Sequence, residues 1–185
     1  AMSVEIPALQ ARGVNVERDS VEVTIPDDNL RAALLEHLKR NAGEPIYETD
    51  RVDNLNAPNR GISSLAGLES IGVDGTLDLR NNNIDDLGPL SGLSNLSRLD
   101  VRDNPLDEEA LNVQIPALQA RGVEVEWNVA IPAGNLRTAL EEQLGREAGG
   151  PIYNTDSFGN LHFNDRGISN LAGLELFYSL NELNL

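Results

Sequence analysis

Leu77-Asp-Leu79-Arg-Asn-Asn-Asn-Ile84-Asp-Asp-Leu87-Gly-Pro-Leu90-Ser-Gly-Leu93-Ser-Asn-Leu96 is the stretch that decides the fold of this 185-residue chain. Leu77 and Leu79 flank a polar residue, the alternation of a short strand with one buried face. Ile84, Leu87, Leu90 and Leu93 then recur at helical or 3-10 spacing, which predicts a tight return path. Gly88-Pro89 and Gly92 punctuate that return. Asn82 stands where the chain must turn between the two. A buried amide there can pair with backbone groups that the turn leaves open.

The pattern recurs every 22 residues. Leu55-x-Ala57, Leu77-x-Leu79 and Leu99-x-Val101 keep that spacing, and so do Arg60, Asn82 and Asn104. Further along, Leu161-x-Phe163 and Leu183-x-Leu185 are again 22 apart. This is the L-x-L-x-x-N-x-L signature of a leucine-rich repeat. It predicts an α/β solenoid with short parallel strands, a 3-10 or helical convex side and helical caps. Asp74-Gly75 occupies a site where the pattern calls for leucine, supplied by Leu180 in the later repeat, so that coil is expected to be irregular.

A longer repeat encloses the short one. Ile6 to Val14 reappears letter for letter as Ile115 to Val123, and residues 3–16 match 112–125 at 11 of 14 positions. From Ile25 the offset becomes 106, and residues 25–79 match 131–185 at 30 of 55 positions. The expected organisation is therefore tandem. Residues 1–17 are the tail of a preceding unit, 18–24 a linker, 25–127 a complete capped unit, and 128–185 the start of a second.

Each unit opens on an amphipathic segment. Asp27 or Asp28 can cap a helix whose inner face is Leu30, Ala33, Leu34 and Leu38. Gly43 and Pro45 are expected to end it, with Lys39 and Arg40 near its negative end. Leu136, Ala139, Leu140 and Leu144 repeat that face. After the last coil, Pro105 to Leu111 and Ile115 to Gly122 are expected as two short helices. Pro116 is suited to a first turn and Gly122 to a left-handed C-terminal position. Val123 to Trp127 then alternates as a closing strand.

The run Ile25-Pro-Asp-x-Asn-Leu-Arg, followed by Asp50, Ile62-Ser-Ser-Leu-Ala-Gly-Leu-Glu69 and the 22-residue coils, resembles the cap and repeats of internalin-type bacterial leucine-rich-repeat proteins. The resemblance covers nearly the whole chain. It implies extracellular or cell-surface recognition of a partner, usually on the concave strand face. The arrays of invasion-type internalins are longer than the three coils between caps here.

Composition narrows the partners. Thirty acidic residues against fourteen basic ones give a net charge of −16, which repels nucleic acid and anionic membranes. With no cysteine there is neither disulfide nor thiolate ligand. His37 and His162 are unmatched between the copies, and no nucleophile–base arrangement, phosphate loop or calcium loop is present. No enzyme activity, cofactor or metal is expected. The intervening strand residues would face the concave side in columns. Asn56, Asp78 and Asp100 form the first, with Arg80 and Arg102 in the second and Asn81 and Asp103 in the third; His162, Asn164 and Asp165 follow in the second unit. That face suits a protein or glycan ligand, although it lacks the aromatic anchors of tight interfaces. A spacer or stalk without a dedicated ligand face is the alternative. The edge at Leu183 and Leu185 invites end-to-end self-association.

Overall fold

The computed structural model describes residues 20–177 and 179–185. The expected tail at 1–17 lies outside the described residues. Four strands, β1 (Arg51–Asn56), β2 (Gly72–Asp78), β3 (Asn95–Asp100) and β4 (Glu124–Glu126), form one parallel sheet in chain order. The register places Leu55 beside Leu77 beside Leu99 beside Val125, and Asn56 beside Asp78 beside Asp100 beside Glu126. Parallel neighbours in chain order need a return path after every strand. The 3-10 turns Leu68–Ser70 and Gly88–Gly92 lie on two of those paths. This is the coil of a leucine-rich-repeat solenoid. A second, two-stranded parallel sheet pairs β5 (Asn160–His162) with β6 (Glu182–Asn184).

The inward leucines fill the coils. Leu55, Ala57, Leu77, Leu79, Leu99 and Val101 are buried, as are Ile84, Leu87, Leu90 and Leu93 on the return path. At the inner turn, Asn82 Oδ1 accepts from the N–H groups of Arg60 (3.0 Å) and Ile62 (3.1 Å). Its Nδ2 donates to the carbonyls of Ala57 (3.0 Å) and Leu79 (2.8 Å). Asn104 repeats the device one coil on, donating to Leu79 and Val101 and accepting from Ile84 N–H. One amide thus satisfies backbone groups from two adjacent coils.

The irregular coil falls where Asp74-Gly75 pointed. The β1–β2 register shifts between Asp53 and Leu55, and the β2–β3 register shifts between Gly75 and Thr76. Gly75 has φ +78° and a side chain there would strike Asn54 Oδ1, which instead accepts the Thr76 N–H at 3.0 Å. The glycine is a bulge residue that lets Asn54 reach across.

Helix α1 (Asp28–His37) packs Leu30, Ala33, Leu34 and Leu35 into the core beside β1. Its N-cap is Asp27, whose Oδ1 accepts from Leu30 N–H at 2.8 Å. The helix stops at Leu38, earlier than Gly43 and Pro45 suggest. Lys39 turns left-handed (φ +57°), and Arg40 swings away to form a two-pronged pair with Asp50 (2.5 and 2.6 Å) and to donate to Pro45 O. The backbone closes the helix there, with Arg40 N–H on Leu35 O at 2.8 Å and Lys39 N–H on Glu36 O at 3.1 Å, the 6→1 and 5→2 bonds of a left-handed C-terminal cap.

The exit region also differs from two separate short helices. A π turn (Ala110–Gln114) runs directly into helix α2 (Ile115–Ala120). Pro116 therefore lies inside one continuous helical run, and the wider turn before it accommodates a residue with no N–H to give. Gly122 has φ +88° and ends that run.

Buried apolar residues form two clusters, one from Val23 to Trp127 and the other from Val129 to Phe177. Val23 belongs to the first core, with its N–H on Ile46 O at 2.7 Å, so the end of the expected 18–24 linker is packed. Helix α3 (Asn135–Leu144) supplies Leu136, Ala139 and Leu140 to the second cluster. Phe158 and Phe177 there meet edge to face at 4.8 Å, where Val52 and Ile71 stand in the first copy.

Candidate functional site

The outward residues of β1 to β4 and the turns after them make a charged face. Arg80 pairs with Asp78 at 2.7 Å and reaches Asp100 at 3.3 Å. Arg102 then pairs with Asp100 at 2.6 Å and reaches Glu126 at 3.1 Å. Acid and base therefore alternate across the sheet in one continuous chain: Asp78, Arg80, Asp100, Arg102, Glu126. The 22-residue period sets its first four members, because the β2 and β3 coils each place an aspartate and an arginine two residues apart at the same register.

The chain continues onto an aromatic ring. The Arg102 guanidinium lies over Tyr153 at 5.3 Å, and Arg146 covers the same ring at 5.0 Å. Arg146 is held in turn by Asp156 at 2.6 Å. Guanidinium–ring contacts of this kind each contribute roughly 0.5–1 kcal/mol where exposed. The Tyr153 hydroxyl donates towards Asp103 at 3.3 Å, and Asn128 Oδ1 accepts the Asp103 N–H at 2.6 Å.

Burial and pairing set the electrostatics. The hydrogen bond from Arg80 holds the Asp78 carboxyl below its usual range, with burial working against it. The hydrogen bond to Asp100 holds the Arg102 proton more tightly than usual, again opposed by burial. Burial first, then the charge of Asp103, pushes the Tyr153 hydroxyl up.

The residues expected on the face are distributed unevenly. Asp78, Arg80, Asp100 and Arg102 come together in the ion chain. Asn81 Nδ2 donates to Asn59 Oδ1 on the neighbouring coil, and Asp103 joins Asn128 and Tyr153. Asp100 is buried, 7% exposed, so its carboxylate positions the two arginines and is not open to a ligand. Asn56 is exposed at the first strand. His162, on β5, and Asn164 and Asp165, just after it, are exposed but belong to the separate two-stranded sheet. Glu126, Asn128, Tyr153 and Arg146 were not among the expected residues. Glu126 escapes the 22-residue rule because β4 follows β3 by 26 (Leu99 to Val125). The repeated Pro-Ile-Tyr motif was the available signal for Tyr153.

Between the two copies a further asparagine holds the backbone. Asn154, 3% exposed, accepts the Trp127 N–H at 2.8 Å and donates to Val125 O at 2.8 Å. Trp127 is buried in the first cluster. Among the described residues no three His, Cys, Asp or Glu side chains gather as a metal site, and no helix is long and apolar enough to cross a membrane.

No protein-family model and no curated protein matches the chain. Among solved structures, an internalin C2 (inlC2) from Listeria monocytogenes str. 4b F2365 is similar at 20% identity and TM-score 0.49, over 90% of this chain and 70% of that one. An internalin (inlF) from the same strain is similar at 18% identity and TM-score 0.43, over 86% of this chain and 43% of that one.

Proposed function

We propose that this chain is a non-enzymatic recognition module of a bacterial surface or secreted leucine-rich-repeat protein, binding a protein or glycan on the face of the four-stranded sheet. The supporting observation is the ion chain from Asp78 to Glu126. Its side chains are held in one arrangement before any ligand arrives, which lowers the ordering cost of binding. In this reading Arg80, Asn81, Arg102 and Asp103 meet the ligand with Asn56 and Asp78, while Asp100 positions the arginines. His162, Asn164 and Asp165 form a secondary patch. Helices α1 and α3 act as caps on the first strands of two tandem units, and the chain works outside the cell.

A spacer or stalk is the second reading. The same ion chain favours it, because charges that already satisfy one another have less to offer a ligand. Asn154 also stiffens the array at the junction. In either reading the edge at Leu183 and Leu185 can pair end to end with another copy.

Glycan arrays and labelled binding to host-cell surfaces, run with the native chain and with Arg80→Ala/Asn81→Ala, separate the two. The recognition reading expects binding that the double substitution weakens at least tenfold. Binding absent throughout leaves the spacer, and binding unaffected by the substitutions places the contact away from Arg80 and Asn81 and overturns the sheet-face reading.

A further inference from the structure

In the first copy a carboxylate joins α1 to the loop after β1. Asp27 Oδ1 accepts from Leu30 N–H at 2.8 Å. Its Oδ2 accepts from Ser63 N–H (2.8 Å), the Ser63 hydroxyl (2.8 Å) and Ser64 N–H (3.1 Å). Burial opposes the charge, and these hydrogen bonds outweigh it, so Asp27 stays below the usual carboxylate range. Four donors thus converge on one planar, two-oxygen group.

The offset of 106 carries every donor into the second copy and removes the acceptor. Leu136, Ser169 and Asn170 replace Leu30, Ser63 and Ser64, whereas Ala133 stands in place of Asp27. The frame around the vacated position is kept. Asn29 Nδ2 ties α1 to Gly61 O at 3.0 Å, and Asn135 Nδ2 ties α3 to the carbonyls of Arg166 (2.9 Å) and Gly167 (3.0 Å). Helix α3 has no side-chain cap, and its N-cap Gly134 adopts φ +146°, a conformation that suits glycine. A cavity of about 240 Å³ lies there, lined by Ala133, Gly134, Leu136, Gly167, Ser169 and Asn170 among others. Among the described residues nothing accepts from Leu136 N–H, from Ser169 N–H or its hydroxyl, or from Asn170 N–H.

We infer that this cavity binds one carboxylate group from outside the chain, held by the N–H groups of Leu136, Ser169 and Asn170 and the Ser169 hydroxyl. The first copy shows a carboxylate on the corresponding donors, and the start of a ten-residue helix favours negative charge. The donor set distinguishes two oxygens in one plane, one taking a single N–H and the other three donors. That geometry fits a carboxylate better than a tetrahedral phosphate. The carboxylate belongs to a free small acid or to an aspartate side chain of a partner polypeptide. Solvent reaches Ser169 and Asn170, so affinity for the bare group is on the order of millimolar.

The test is a ¹H–¹⁵N NMR titration of the whole chain with sodium acetate, against sodium chloride at constant ionic strength. Saturable shifts of the Leu136, Ser169 and Asn170 amides with acetate alone support the site. Ala133→Asp supplies the missing carboxylate internally, so it should abolish the acetate response and raise the thermal midpoint by about 2–4 °C. Should that variant not fold, Ser169→Ala removes only one donor and is expected to weaken acetate roughly tenfold. N-acetyl-aspartate N-methylamide distinguishes the sources: tighter binding than acetate assigns a partner's aspartate, and equal or weaker binding assigns a free acid. Shifts that never saturate, equal shifts with chloride, tighter binding of inorganic phosphate, or an acetate response unchanged in both variants would overturn the assignment.

Discussion

Asn154 donates its side-chain amide to the carbonyl of Val125, 29 positions earlier, at 2.8 Å, and so closes the open edge of the first sheet with a residue from the second copy. The same amide accepts the Trp127 N–H. Asn154→Ala would leave both buried backbone groups unpaired, at a cost of about 2–3 kcal/mol. Urea unfolding followed by Trp127 fluorescence should show a lower midpoint. The variant should also lose coincidence between Trp127 fluorescence and far-ultraviolet dichroism, because the copies would unfold separately. One coincident transition at the native midpoint would contradict this.

Lys39 and Gly145 occupy the same position in the two copies, with φ +57° and +64°. Glycine adopts that conformation without the steric penalty a lysine carries. Lys39→Gly is therefore expected to stabilise the first copy by about 0.5–1 kcal/mol. A midpoint that falls in thermal unfolding would show that Lys39 makes a compensating contact.

Acid should destabilise the chain over a defined window. The hydrogen bond from Arg40 holds the Asp50 carboxyl low against the effect of burial, and Arg80 does the same for Asp78. Asp27 is low as well. A carboxylate with a depressed folded pKa stabilises fully above its unfolded value, about 3.9. That contribution disappears as pH falls through the lower folded value, and protons are taken up on unfolding. Urea midpoints measured from pH 5 to pH 2 should fall most steeply below about pH 4. Asp50→Asn should lower the midpoint at pH 5 and flatten the acid slope. An unchanged slope would remove Asp50 from the account.

The outer edge of β6, unpaired among the described residues, gives the last prediction. Leu185 is 53% exposed and Leu183 partly so, beside a strand with a partner on one side only among the described residues. Light scattering should show concentration-dependent association that Leu185→Lys suppresses, as edge charges do. Association unaffected by that substitution would place the contact elsewhere.

What could be read in advance followed from periodicity. The inward leucines, the turn asparagines Asn82 and Asn104, and the disturbed coil at Asp74-Gly75 each repeat or break a spacing, so the sequence exposed them. The ion chain was half visible: its aspartates and arginines fell in columns, but Glu126 sits four residues off the period. Lys39 was hidden because lysine carries no local mark of a left-handed C-terminal position, which the second copy fills with Gly145. Asn154 was hidden because its partner strand lies in the other copy, where Glu48 offers no template. Tertiary partners, unlike periods, leave no local mark.

The 22-residue register between neighbouring strands also has a kinetic meaning. Pairing Asn56 with Asp78, or Asp78 with Asp100, closes a loop of the same length each time. Loop-closure entropy depends on that length and not on how many coils are already in place. Growth of the array is then a zipper with equal steps, free to start at any well-formed coil. The longer β3–β4 step changes the cost little, since closure entropy rises only with the logarithm of loop length. Ordering the first pair of coils is then the expected slow step, with a barrier set by two neighbours rather than by the length of the chain.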